Sequence, residues 1–78
     1  MEQKVMRIGI FGTLRGGGYA QIFHGLPGAT VTAVCDNNPR SLEGIRDFLN
    51  QNPDILVFDN FDDFIDCGKM DAVMLCKS

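Results

Sequence analysis

An α/β fold built on a four-stranded parallel sheet is predicted by three observations in this 78-residue chain. Four short apolar runs, at residues 5–11, 30–35, 55–58 and 71–76, alternate with stretches of helical period. The connections between them are short. The first run also breaks into glycines where a helix is due, in the segment RIGIFGTLRGGG at 7–18. Alternation of this kind implies right-handed crossovers with helices on both faces of the sheet. The expected strand order is 3-2-1-4, the first half of a doubly wound sheet plus the start of its second half.

The elements follow in order. Val5, Met6, Ile8, Ile10 and Phe11 make the first run apolar on both faces, as in a strand buried between helix layers, and Gly9 within it would let a helix or ligand approach closely. From about Gly17 the period becomes helical, with Tyr19, Ile22, Phe23 and Leu26 on one predicted face, until Gly25, Pro27 and Gly28 stop it. Residues 30–35, TVTAVC, are β-branched and apolar enough for a second strand ending at Asp36. Asn38 then offers a helix cap, with Pro39 at the first helical position, where its missing N–H costs nothing. The helix so begun carries Leu42, Ile45, Phe48 and Leu49 inward and Arg40, Glu43, Arg46 and Asp47 outward, and Pro53 ends it. Residues 55–58 form a short third strand. Asn60 caps a further helical turn, with Asp63 as its capping-box partner and Phe61, Phe64 and Ile65 expected to pack inward, and residues 71–76 supply the fourth strand.

Composition narrows the function. With 45% apolar and 22% charged residues and a formal charge of −3, the chain gives no electrostatic encouragement to nucleic acid or anionic membrane. No apolar run approaches the ~20 residues of a membrane span, and the first dozen residues lack a secretory signal, so cytoplasm is the default. Cys35, Cys67 and Cys76 form no C-x-x-C pair and are expected as core filler rather than reactive thiols. His24 has no partner at metal spacing and is expected at a surface or helix end. The acids Asp59, Asp62, Asp63 and Asp66 fit a solvated helix start better than a metal site. No metal ligand and no catalytic residue is assigned.

The chemistry concentrates at two places. A strand that turns abruptly into a helix presents unpaired N–H groups and a positive dipole end to a diphosphate, and glycines let backbone and ligand approach closely. In G-x-G-x-x-G register, Gly12 and Gly17 fill the first and third positions, while Leu14 stands in the second and would crowd a pyrophosphate. Arg15 is open to two readings, a bidentate phosphate partner or an exposed arginine with no ligand. Asp36 lies nineteen residues past Gly17, close to the offset of ~20 at which an acid meets the adenosine ribose hydroxyls and repels a 2′-phosphate. The competing reading makes residues 16–18 a flexible turn and Asp36 a loop cap. Candidate cofactor contacts are Gly12, Thr13, Leu14, Arg15, Gly17, Asp36 and Asn37. Asn37, where a basic residue would suit a 2′-phosphate, makes NAD the favoured cofactor over NADP, although Arg15 and Arg40 keep NADP open.

These residues carry a resemblance. The pattern RIGIFGTLRGGGYAQIFHGLPGATVTAVCDNNP, followed by FDDFID and MDAVMLC, resembles the N-terminal part of the glucose–fructose oxidoreductase/inositol dehydrogenase family (Gfo/Idh/MocA), over residues 4–76. Its most specific pieces are LPG-x-x-V-x-A-V-C-D at 26–36 and D-A-V at 71–73. The resemblance implies a partial NAD(P)-binding Rossmann domain covering residues 1–78, with Gly12, Gly17 and Asp36 at cofactor positions. Leu14 departs from the family's usual glycine, and Lys77-Ser78 departs from its small Thr-Pro-type continuation. The family's catalytic lysine, in a Glu-Lys-Pro-type segment, and its substrate domain do not fall within these residues, so a fragment that binds cofactor without catalysing hydride transfer is expected. The alternative is a non-enzymatic Rossmann-like module that senses a nucleotide or associates through an exposed sheet edge.

Overall fold

The computed structural model describes residues 5–76, and the side chains of residues 14–17 lie outside that description. The elements are β1 (Met6–Phe11), α1 (Thr13–His24), β2 (Ala29–Cys35), α2 (Pro39–Glu43), α3 (Arg46–Gln51), β3 (Leu56–Phe58), α4 (Phe61–Asp66) and β4 (Ala72–Leu75). All strand pairs are parallel and the order is β3-β2-β1-β4, as expected. The fold is therefore a Rossmann-like α/β sheet.

Two apolar layers cover the sheet. On one face Ile8, Ile10, Val31 and Val34 pack with Ala20 of α1 and with Ile45, and Leu42, Phe48 and Leu49 close the layer. On the other, Ala33 and Cys35 pack with Phe64 of α4, bordered by Phe11, Phe58, Met70 and Val73. A register shift explains why Val31 and Val34, three residues apart, share a face. Ile8 pairs with Val31 and Gly9 with Ala33, so Thr32 is an extra residue in β2 and the alternation is reset there. The Thr32 hydroxyl donates to the Lys69 carbonyl at 2.7 Å, tying this bulge to the segment after α4.

Gly9 admits a helix, as its place in a two-sided strand suggested. A Cβ there would overlap Met70 Sδ and approach Phe64 Cζ to 2.8 Å, so α4 depends on the bare backbone. At the start of the sheet, the Arg7 guanidinium donates to both carboxylate oxygens of Asp71, at 3.3 and 3.0 Å. The backbone joins in, with Arg7 N–H to Asp71 Oδ2 at 2.9 Å and Asp71 N–H to the Arg7 carbonyl at 2.7 Å. The hydrogen bond first, and the carboxylate charge second, raise the guanidinium pKa above its ordinary value. β4 is thereby registered on β1 before its own ladder begins.

Both predicted asparagine caps form. Asn38 Oδ1 accepts from the Arg40 N–H at 3.0 Å, with Pro39 opening α2, and Asn60 Oδ1 accepts from the Asp63 N–H at 3.1 Å. Elsewhere the elements differ from expectation. α1 begins at Thr13 rather than near Gly17, so residues 16–18 are helical and not a turn. Its buried face is also rotated: Ala20 and Phe23 meet the sheet, while Tyr19, Ile22 and Leu26 are exposed, because a small residue lets the helix axis approach the strands. The single helix expected after Pro39 is two, broken where Gly44 ends α2 and Ile45, with ψ of 17°, leaves helical geometry. Its apolar stripe nevertheless packs as predicted. In α4 only Phe64 is buried; six residues give one inward position, and Phe61 instead meets Phe11 edge-on at 4.8 Å.

His24 ends α1, as expected of a helix-end histidine. Asn52 Nδ2 donates to the Phe48 carbonyl at 2.8 Å, which leaves Asn52 Oδ1 as the acceptor for His24 Nε2–H at 3.0 Å. His24 Nδ1 then accepts from the Val31 N–H at 3.2 Å, and the imidazole joins α1, β2 and α3. Cys35 is buried, Cys67 and Cys76 are partly so, and none of the three is in a disulfide. Burial pushes the Cys76 thiol pKa up. Among the described residues no helix is long and apolar enough to cross a membrane.

Candidate functional site

The site is assembled by the register of β1 on β2. Phe11 pairs with Cys35, so the next residues, Gly12 and Asp36, leave the sheet side by side. The ladder runs one bond further, with Gly12 N–H on the Cys35 carbonyl at 2.9 Å, and Asp36 N–H on the Phe58 carbonyl at 3.0 Å. Gly12 then turns at φ 94° and ψ 90°, a left-handed conformation that side chains other than glycine rarely take. One residue later the chain is helical.

No side chain of its own turn caps α1. Asp36 does so from the neighbouring strand. Its Oδ2 accepts from the Thr13 N–H at 2.8 Å and from the Thr13 hydroxyl at 3.1 Å, and its Oδ1 accepts from the Asn38 N–H at 2.8 Å. Asp36 is 6% exposed and Thr13 only 2%. A carboxylate at a helix N-terminus is favoured by the helix dipole, and one taking several N–H and O–H donors is held in a single orientation.

Of the sequence-predicted residues, Gly12, Thr13 and Asp36 come together here. Asn37 follows, exposed at the mouth of the β2–α2 connection. Leu14, Arg15 and Gly17 lie on the first turns of α1, where the expectations for their side chains fall outside the described residues. The Thr13–Asp36 pairing is the feature sequence reasoning missed, since Thr13 stands there only as a motif position. Its signal is a hydroxyl residue directly after the turn glycine.

The location is chemically suggestive. Order β3-β2-β1-β4 reverses direction between β1 and β4, and open α/β sheets bind ligands in the crevice outside the carboxyl ends of the strands at such a reversal. At the opposite end of the sheet, a cleft of about 270 Å³ lies between His24, Thr30–Thr32 and Gln51–Ile55. The imidazole there is already held by Asn52 and Val31. Among the described residues no three His, Cys, Asp or Glu side chains are placed to hold a metal ion.

No protein-family model and no curated protein sequence matches the chain. Solved structures do. Scyllo-inositol dehydrogenase from Lactobacillus casei, with bound cofactor NAD(H) and scyllo-inositol, superposes with a TM-score of 0.75 at 27% identity, over 96% of this chain and 22% of that one. The chain is similar to the Rossmann part of an NAD-binding dehydrogenase. The apo form of the same enzyme gives 0.76 at 28% identity, over 100% of this chain and 23% of that one. An oxidoreductase from Agrobacterium radiobacter in complex with NAD+, L-tartaric acid and magnesium gives 0.76 at 16% identity, over 94% of this chain and 21% of that one, a likeness of fold alone. The chain thus spans about a fifth of the length of these enzymes. The match agrees with the resemblance read from residues 4–76, whose N-terminal Rossmann part has this architecture.

Proposed function

We propose that this chain is the NAD(P)-binding module of an inositol-dehydrogenase-type oxidoreductase of the Gfo/Idh/MocA kind, and that it holds the adenosine-diphosphate half of NAD(H). The observation that carries the reading is the junction of the Gly12 turn with the Asp36 carboxylate, at the point where the strand order reverses. The first turn of α1 offers backbone donors to the diphosphate, and Gly12 lets it approach. Asp36 receives the ribose hydroxyls, and its charge, with Asn37 rather than a basic residue beside it, favours NAD over NADP. Thr13, Leu14, Arg15 and Gly17 complete the contact set, with Leu14 limiting affinity. Cysteines outside any disulfide at positions 35, 67 and 76 suit a reducing, cytoplasmic setting.

The chain's part in hydride transfer is to hold the cofactor. Transfer also requires a substrate in near-attack geometry, and no acid, base or substrate contact is assigned to these residues. Calorimetric titration of the chain with NAD and NADP tests the proposal. Saturable NAD binding, weaker for NADP and lost in folded Asp36→Ala, supports it; no saturable binding of either overturns it.

A second reading rests on β4. It is an edge strand whose Leu75 is 68% exposed, so a non-enzymatic Rossmann-like module that pairs through this edge is the alternative. Sedimentation that is concentration-dependent, in a chain that binds no dinucleotide, would favour it.

A further inference from the structure

We infer that Thr13 is a positioning residue for cofactor selection, setting the discrimination between NAD and NADP through Asp36 and without touching either nucleotide through its hydroxyl. The inference rests on the dinucleotide reading of the site. Two donors from this one residue, its N–H at 2.8 Å and its hydroxyl at 3.1 Å, converge on Oδ2 of Asp36. The Asn38 N–H holds the other oxygen, Oδ1, at 2.8 Å. A carboxylate only accepts, so the buried Thr13 hydroxyl directs its proton to Oδ2, and rotation of the carboxylate group is restrained by three bonds, two from the start of α1 and one from the β2–α2 connection.

Fixing this group matters because rejection of a 2′-phosphate is a repulsive device. A charge held in one place excludes a second negative group, whereas a carboxylate free to turn can give way to it. The backbone N–H of Thr13 is available from any residue at that position. Only the hydroxyl is specific to its side chain, and it is 2% exposed with the rest of Thr13, inside the fold rather than in the crevice.

Thr13→Val keeps the shape and removes the hydroxyl, and Thr13→Ser keeps the hydroxyl and trims a methyl group. Dissociation constants for NAD and NADP are to be measured by NMR titration on wild type and both variants, each with a dispersed spectrum as proof of folding. Thr13→Val is expected to weaken NAD binding about tenfold and NADP binding less, so that the ratio of the two constants shrinks. Thr13→Ser should keep the wild-type ratio within about twofold. A wild-type ratio in Thr13→Val overturns the inference, as does a Thr13→Ser ratio equal to that of Thr13→Val, which would assign the effect to packing. A readout in the wild-type chain stands beside the variants: with NAD bound, the Thr13 hydroxyl proton should exchange slowly, and free exchange overturns the inference. A wild type that binds no NAD fails the dinucleotide reading and the inference together, whereas NAD binding with an unchanged ratio in Thr13→Val fails the inference alone.

Discussion

Gly9 of β1 carries Phe64 of α4 directly on its open face, where a Cβ would stand 2.8 Å from Phe64 Cζ and overlap Met70 Sδ. Phe64 is fully buried and cannot retreat, although the end of Met70 is flexible. Gly9→Ala is therefore expected to destabilise the chain by about 1–3 kcal/mol. Urea unfolding measures this, and combining the change with Met70→Ala should recover only part of the loss.

Gly18 poses the opposite case. It lies in α1, exposed, with nothing within 4 Å of an added Cβ. Gly18→Ala should stabilise the fold by about 0.5–1 kcal/mol, because alanine loses less backbone entropy in a helix. Gly68 is the control: its surroundings are equally open, but its φ is 70°, so Gly68→Ala should cost stability.

Asp36 is a structural acceptor as well as a proposed ligand. Replacing it with alanine leaves the Thr13 N–H, the Thr13 hydroxyl and the Asn38 N–H without the group they now bond. Thermal or urea melts should show a loss of about 1–3 kcal/mol. Binding to Asp36→Ala is accordingly to be compared on folded protein, where loss of affinity is separable from loss of fold.

His24 and Asn52 should be energetically coupled. Each is satisfied through the other, and together they anchor the ends of α1 and α3 to β2. A double-mutant cycle with His24→Ala and Asn52→Ala is expected to return an interaction of about 1 kcal/mol, and strict additivity would contradict the network.

Much of this was legible because it is local. Asn38-Pro39 and Asn60 announce their helices through a cap bond two or three residues away, and the uniform apolar runs announce strands covered on both faces. The run at 55–58 shows the limit of that rule: as an edge strand, β3 leaves Leu56 and Val57 exposed. The helical period is legible only from about Gly17, because glycines at 16–18 carry no side chains to mark it, whereas α1 begins at Thr13 with Asp36, just past the end of β2, accepting from its first N–H. Periodicity weights large side chains and so points to the wrong face of α1; Ala20, a small residue, makes the close contact. The extra residue at Thr32 has no local mark at all; it is visible only once β1 and β2 are paired. The spacing from Gly17 marks Asp36 as a candidate site residue, but the Thr13 hydroxyl bonded to its carboxylate belongs to tertiary structure.

The central claim is that dinucleotide binds at the carboxyl ends of β1 and β2. An amide-resolved NMR titration of the chain with ADP-ribose addresses it directly. The account predicts saturable shifts centred on residues 12–18 and 36–38, with the cleft at residues 51–55 unmoved. Saturable shifts confined to that cleft, or none anywhere at millimolar ligand, would contradict it.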